Sequence, residues 1–474
     1  MKKGDFLKIA IVIVGVIFIS RLFYLQLLDN SYKISPLNNA SIKRVYDYPE
    51  RGYVYDRNGE LLVANEQSYD IMIIPREVKP LDTLEFCTLL KIDKEKFLKQ
   101  YKKAKKYSTR LPSVFIGQVS KGDFAYLQEK LHKYKGFYIQ KRSIRKYPLK
   151  TAANVVGYIS EVSVKKLNES NYYQQGELIG FQGVEKTYEN YLRGIKGVKR
   201  IQKDRFNKEI GSYKDGEFDT LATAGRDITL TLDAILQQYG DRLMTNKRGG
   251  IVALEPSSGE ILALVTAPTY DPNRMVGRIR SKNSVLLFGD TINKPMYDRG
   301  LQAQYPPGSP FKIINSLIAL QENVIDENST FICHGGYRYG DRKMGCHPHA
   351  NPVNLNFGIY TSCNTYFANA YRRIIEKFDS PSEGMNVWSK HVKSFGFGNF
   401  LGYDLPSGQK GLIPDAVYYD KWYPAKNWTS TYTISNAIGQ GEVITTPIQL
   451  ANMTAAIANR GYYYTPHILS LIHI

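Results

Sequence analysis

The stretch from Tyr305 to Leu320, YPPGSPFKIINSLIAL, constrains this chain more than any other. Pro306-Pro307-Gly308 is turn-forming, Pro310 suits the first position of a helix, and Phe311 to Leu320 is almost wholly apolar, which predicts a buried helix beginning at Ser309. Residues three apart share a helix face, so Ser309 and Lys312 should stand within reach of each other beside the positive end of the helix dipole. Serine is a poor nucleophile at neutral pH. A lysine made neutral by desolvation or nearby positive charge can take its proton as it attacks a carbonyl. The competing reading of Ser309 is an ordinary N-cap.

Spacing alone does not single out this pair, because Ser-x-x-Lys recurs at Ser143/Lys146, Ser163/Lys166 and Ser407/Lys410. Context does. Ser143 lies in a basic stretch (KRSIRKYP), Ser163 in a polar one and Ser407 in a Pro/Gly loop, so only Ser309 is expected to open a buried helix.

At 474 residues, with 43% apolar and 12% aromatic side chains, the chain can build two or three domains with ample core. The formal charge of +19 fits nucleic acid, an anionic envelope surface or a solvated basic exterior; no nucleic-acid motif accompanies it, and no nucleic-acid partner is expected. Lys2-Lys3 precede an apolar run from Phe6 to Ile19, interrupted at Arg21 and resumed from Leu22 to Leu28. Roughly 20 residues then suffice to span a bilayer if Arg21 snorkels. No small-x-small cleavage site follows cleanly. The expectation is an uncleaved signal anchor over residues 1–28, its short basic end in the cytoplasm and the bulk of the chain exported; a cleaved signal peptide is the alternative.

Four cysteines, Cys87, Cys333, Cys346 and Cys363, are too few for a disulfide scaffold. Cys333, Asp341, Cys346, His347 and His349 could together hold a structural zinc. A hairpin disulfide between Cys333 and Cys346, or free thiols, fit as well, since the spacing matches no standard zinc module.

Residues 29–50 are polar and mixed, as in a juxtamembrane stalk. Alternating Tyr53-Val54-Tyr55, then Asn58-Gly59 and a second apolar run, predict two strands joined by a tight turn. Residues 66–150 are lysine-rich and weakly helical over Leu81 to Lys105, with no catalytic constellation. From Asp227 the texture changes to strand, helix and then a strand-turn-strand from Gly249 to Val265, ahead of the Ser309 helix. That order predicts an α+β fold with helices packed on a mainly antiparallel sheet.

Taken in order, the anchor, Arg51-Gly52 with Asp56-Arg57-x-Gly59, Tyr147-Pro148 with Gly157-Tyr158, Gly183-Val184-Glu185, the hairpin from Val252 to Tyr270-Asp271-Pro272-Asn273, and Ser309-x-x-Lys312 resemble class B penicillin-binding proteins. A second active-site element of that family, Ser-x-Asn, stands at Ser362-Cys363-Asn364; Ser281/Asn283 is a chance repeat of the pattern. Gly439-Gln440-Gly441 followed by Thr446-Pro447 is also similar. The histidine- and cysteine-bearing insert between Ser309 and Ser362 resembles the elongation-specific type, penicillin-binding protein 2, more than the division type.

The resemblance implies a membrane anchor, an elongated pedestal or dimerisation-type domain over 51–225, and a transpeptidase domain over 226–474. It implies peptidoglycan D,D-transpeptidation during cell-wall elongation. In that reaction Ser309 attacks a D-Ala-D-Ala stem peptide, Lys312 accepts its proton, Ser362 relays the proton to the leaving amine, and Asn364 holds the substrate amide. Ser309, Ser362 and Asn364 would also meet β-lactams. No cofactor is required for that reaction, and a structural zinc stays one of the alternatives for the cysteine- and histidine-bearing insert. Partners would be a polytopic membrane glycosyltransferase and shape-determining proteins at the bacterial cytoplasmic membrane. The rivals are an exported serine β-lactamase or penicillin sensor, neither of which explains the long region from Arg51 to Gly225, and a non-catalytic scaffold of the same complex, in which that region binds partners and the motifs persist by descent.

Two departures from the family stand out. Asn154 occupies a place where the family often has histidine, which bears on domain packing. The family's third element, Lys-Thr/Ser-Gly on a strand lining the site, is absent after Asn364. Leu469 to Ile474 match what a transposon mosaic end used in sequencing libraries encodes in one frame. The expectation is a gene fragment truncated before that strand, with impaired chemistry and an open, aggregation-prone sheet edge.

Overall fold

A computed structural model describes residues 3–24, 42–119, 121–170, 172–204 and 209–470, with residues 3–11 as backbone only. Two compact units emerge, one from residues 1–50 and 194–225, the other from 51–193 and 226–474.

The first unit contains the helix Lys3–Phe23 and a three-stranded antiparallel sheet in the order Ile42–Asp47, Gly197–Lys203, Glu209–Ser212. From Val12 to Phe23 the large apolar side chains of the helix stand exposed. Among the residues whose side chains are described, which leave out 3–11 of this helix, no helix is long and apolar enough to cross a membrane. The stalk expected over residues 29–50 lies outside the described residues up to residue 41.

The second unit opens on the expected hairpin. Val54–Tyr55 pairs antiparallel with the start of a 13-residue strand, Leu61–Ile73, and Gly59 supplies the left-handed turn. Asp56 explains why the turn is so specified: one carboxylate oxygen accepts from the Asn58 and Glu60 N–H groups, both at 2.8 Å, and the other from Ala234 N–H at 3.0 Å, where a helix begins. The remainder of the long strand pairs antiparallel with Ser113–Val119 and Phe137–Lys146. Helices Thr83–Leu90, Lys94–Tyr107 and Lys121–Gln128 complete this head. It has its own aromatic core around Phe86, Phe97, Phe115 and Phe137, so the lysine-rich region is a folded lobe.

The spaced motifs Arg51-Gly52 and Gly183-Val184-Glu185 meet in a buried ion network. Arg51 Nη2 donates to Glu185 Oε2 at 2.5 Å and Glu189 Oε2 at 2.7 Å, while Arg145 Nε donates to Glu185 Oε1 at 2.6 Å. Removing one partner of such a pair would strand a buried charge. Gly52 has no alternative: a Cβ there would lie 1.8 Å from the Arg226 carbonyl oxygen. Asn154 is buried and donates to the Pro295 carbonyl at 3.3 Å, a packing contact.

In the remainder of the unit, Gly249–Leu254 and Ile261–Ala267 form an antiparallel hairpin, and the helices enclose a separate core of Phe311, Ile314, Tyr366, Phe367, Tyr371, Trp388 and Phe397. Residues 467–469 run alongside: Thr231 N–H donates to the Ile468 carbonyl, Ile261 N–H to that of His467, and Asp404 accepts from the Ile468 and Leu469 N–H groups at 2.7 and 2.9 Å. Ser470 N–H donates to the Thr229 carbonyl at 2.9 Å, and residues 471–474 lie outside the described residues.

Candidate active site

The helix runs from Phe311 to Gln321, with Pro310 as its N-cap and no capping side chain. It therefore starts two residues later than Ser309, and the Ser309 hydroxyl is spared the capping role that was its competing reading. Helical hydrogen bonds still reach back, Phe311 N–H to the Gly308 carbonyl and Lys312 N–H to that of Ser309, both at 3.0 Å.

The turn before Ser309 is fixed from both sides. Gly308, at φ +67°, donates its N–H to the Gly439 carbonyl at 2.8 Å, and Tyr305 exchanges two 2.9 Å hydrogen bonds with Thr445. Gly439 must be glycine for this approach, since a Cβ would sit 2.4 Å from the Gly308 carbonyl oxygen. Deeper in, Asn315 on the buried face of the helix donates to the carbonyls of Asn436 (3.1 Å) and Ala437 (2.9 Å) and accepts from Trp388 Nε1 at 2.8 Å. Asn315 and Trp388 are both fully buried, so these bonds tie the helix to the segment that holds Gly308. Sequence reading passed over Asn315 because a polar residue inside an apolar run carries no pattern of its own.

Ser309 is exposed, whereas Lys312 is 3% exposed. Lysine has three donors. All three are engaged, with Ser362 Oγ at 2.9 Å, the Ser362 carbonyl at 2.7 Å and Asn364 Oδ1 at 2.5 Å. Ser362 Oγ in turn donates to Ser309 Oγ at 2.9 Å. The expected proximity of Ser309 and Lys312 is thus realised through a third residue. Burial lowers the Lys312 pKa from its ordinary value to about 8, against a smaller opposing pull from the thiols of Cys346 and Cys363.

Ser362 reaches this position because it adopts a left-handed conformation, φ +53°, between the helices Leu355–Tyr360 and Asn364–Glu376. Such a conformation in a non-glycine residue costs about 1 kcal/mol or more and marks a constrained place. Asn364 is held by its own contacts, Nδ2 to the Gly345 carbonyl at 2.7 Å and N–H to Cys346 Sγ at 3.2 Å.

The remaining Ser-x-x-Lys pairs are accounted for structurally. Ser143 and Lys146 lie on the strand Phe137–Lys146, where residues three apart point to opposite faces, and Ser163 caps the helix Val164–Glu169 by accepting from Lys166 N–H. Ser407 stays in a loop, and Ser281 and Asn283 share the helix Arg280–Gly289.

All four cysteines are free thiols, so no Cys333–Cys346 disulfide is formed. The ligand atoms of Cys333, Cys346, His349 and Cys363 lie within 4.8 Å of one another. Asp341 and His347 are not in this cluster: Asp341 is exposed in the turn between the strands Gly336–Tyr339 and Arg342–Gly345, and His347 is exposed beside Cys346. The fourth member of the cluster is instead Cys363, the middle residue of Ser362-Cys363-Asn364. Sequence reading missed it because the motif treats that position as unspecified.

Residues 46–230 match the family model of the penicillin-binding protein dimerisation domain, and residues 249–473 that of the penicillin-binding protein transpeptidase domain. A peptidoglycan D,D-transpeptidase MrdA from Acinetobacter baumannii is 33% identical over 487 residues, spanning 99% of this chain and 69% of the relative. The Escherichia coli K12 protein of the same name is 30% identical over 473 residues, spanning 96% and 71%. Among solved structures, the complex between penicillin-binding protein 2 and MreC from Helicobacter pylori matches with a TM-score of 0.79 at 27% identity, covering 91% of this chain and 80% of that one. A peptidoglycan synthase complex described as coordinating polymerization and crosslinking matches with a TM-score of 0.66 at 25% identity, covering 98% and 78%.

Proposed function

The chain belongs to the penicillin-binding proteins that join a dimerisation domain to a transpeptidase domain, of the class B penicillin-binding protein 2 type, and from that premise we propose that it is a serine peptidoglycan D,D-transpeptidase of cell-wall elongation. The observation that carries this is the unbroken hydrogen-bond chain from Ser309 Oγ through Ser362 Oγ to Lys312 Nζ.

Ser309 Oγ attacks the carbonyl carbon of the penultimate D-alanine. Its proton moves toward Ser362, whose own proton passes to neutral Lys312, so the hydroxyl link acts as a two-way relay. Collapse of the tetrahedral intermediate breaks the peptide bond. The relay then delivers the proton to the leaving amine, and D-alanine departs. The amine of a neighbouring stem peptide next attacks the acyl-enzyme, gives its proton to the same relay and releases Ser309. Asn364 orients Lys312 through Oδ1. The Ser309 N–H, which has no main-chain acceptor among the described residues, is placed to stabilise the oxyanion. β-Lactams enter by the same acylation.

The cysteine cluster fits a structural zinc. Tetrahedral Cys₃His coordination demands S to S edges of about 3.8 Å and S to N edges of about 3.5 Å. Cys346 Sγ and His349 Nε2 already lie 3.5 Å apart, and three thiols with one imidazole are a usual zinc set. Cys363 would then fix Ser362 and Asn364 on either side of it, and the Asn364 N–H already rests on Cys346 Sγ. The metal would hold the motif in place and take no part in the acyl transfer.

The helix Lys3–Phe23, at about 1.5 Å per residue, is about 30 Å long, and its sequence from Phe6 to Phe23 is apolar save for Lys8, Gly15, Ser20 and Arg21. This supports a single-pass anchor with residues 51–225 as an exported pedestal and 226–474 as the catalytic domain. The partners named for the relatives, MreC and the synthase complex, support assembly with shape-determining proteins and a membrane glycosyltransferase. The test is incorporation of a fluorescent D-amino acid into stem peptides by the purified chain. Ser309-dependent incorporation is expected, and incorporation that survives Ser309→Ala would overturn the assignment.

A further inference from the structure

Half of the helix Lys94–Tyr107 is lysine, seven of 14 residues, against one acid, Glu95. All seven lysines are exposed, and none has an ion-pair partner among the described residues. Which face they occupy is set by the core of the head: Phe97 and Ala104 are buried and Tyr101 packs against them. On the outer face Lys99, Lys103 and Lys106 follow one another at successive turns, with Lys102 beside them. Like charges at three- and four-residue spacings repel and destabilise a helix. At the end of the row Arg76 N–H donates to the Thr109 carbonyl at 2.9 Å, which sets exposed Arg76 close to Arg110 and extends the positive surface.

We propose that this lysine face is a docking surface for peptidoglycan strands, recognising the carboxylates of their stem peptides. The inference rests on the proposed function, since it takes the substrate polymer of the Ser309 site as its ligand, but the face itself lies on the head and includes none of the residues of that site. A strand carries carboxylates at intervals along a polymer, and a row of lysines along a helix meets such a ligand at several points at once, so weak exposed ion pairs sum to useful retention. Lipid is the less suited occupant. A helix that binds a membrane surface directs its apolar side into the lipid, and here that side is committed to the core of the head. Between the lysines the outer face offers only Leu98 and Tyr107 as large apolar side chains, both partly exposed, which suits contact with a sugar face better than insertion.

The full chain in detergent is sedimented with purified sacculi. Wild type should pellet, less so as salt rises. The triple variant Lys99→Gln, Lys103→Gln, Lys106→Gln should bind about tenfold more weakly, the loss expected of three exposed ion pairs. Glutamine keeps the helix propensity close to that of lysine, so the melt should not fall. A charge-matched control, Lys165→Gln, Lys166→Gln, Lys421→Gln, should bind as wild type does, and sacculi stripped of stem peptides by an amidase should retain neither protein. Equal pelleting of the triple variant and wild type overturns the proposal, as does an equal loss in the control. Retention by phosphatidylglycerol-coated beads that depends on the three lysines, with sacculus binding unchanged, would assign the face to lipid instead. Labelling of Ser309 by penicillin reads the catalytic assignment separately, so failure of one leaves the other standing.

Discussion

Ser362 donates its hydroxyl hydrogen to Ser309 over 2.9 Å, although 53 positions separate the two in sequence. Removing that hydroxyl breaks the relay at its middle member and leaves Lys312 without one of its three acceptors. Ser362→Ala should slow acylation by penicillin by about 10² to 10⁴, the usual worth of a positioned proton-transfer group, with little change in melting temperature. Acylation at the wild-type rate would remove Ser362 from the relay.

Lys312 sets the pH dependence. It must be neutral to accept a proton, and burial brings its pKa down to about 8. Acylation should therefore rise with pH through about 8 and level off above it. A rate already flat below pH 7 would show that Lys312 is not the group that titrates.

Asn315 links the helix to the 3-10 turn Ser430–Ile438, whose C-cap Gly439 fixes Gly308. Asn315→Ala strands the indole N–H of Trp388 and withdraws donors from two carbonyls, which should cost about 2 to 4 kcal/mol in a denaturant melt. The acylation rate of the molecules still folded should fall as well, because the turn before Ser309 loosens. A loss of stability with the rate untouched would confine Asn315 to packing.

Asp298 is fully buried, and desolvation raises its carboxyl pKa to about 6. A carboxyl group with a folded pKa above its ordinary value costs stability once ionised, so the penalty is absent below about pH 4 and complete above about pH 6. Asp298→Asn keeps an oxygen for Thr266 Oγ1 and Leu301 N–H, both at 3.2 Å. It should stabilise the protein by about 1 to 3 kcal/mol at pH 7.5 and by nothing near pH 4. Equal melting of the two proteins at both pH values would refute the buried-charge account.

Metal content should be about one zinc per chain, lost on Cys363→Ser, with a melt that falls on chelation in wild type alone. Chelation that leaves the melt unchanged in metal-loaded protein would show that the cluster holds no structural ion.

Local chemistry made part of this structure readable in advance. Asn58-Gly59 specified its hairpin, and Pro306-Pro307-Gly308 specified the turn before Ser309, because both depend on residues a few positions apart. The helix start was misplaced by two residues, since Pro310 serves as the N-cap and Ser309 precedes it. What the sequence hid is non-local. The contact of Ser362 with Ser309 depends on a left-handed residue between two helices, and the cysteine and histidine cluster draws Cys363 from beyond the insert that carries Cys333, Cys346 and His349. The full length of the strand Leu61–Ile73 was hidden for another reason: polar residues at its centre, Asn65 to Ser68, interrupt its alternation.

The most direct measurement is labelling with a fluorescent penicillin, on this chain beside its Ser309→Ala variant. The account predicts covalent label on the Ser309 peptide, abolished by Ser309→Ala. Absence of any Ser309-dependent label would contradict it.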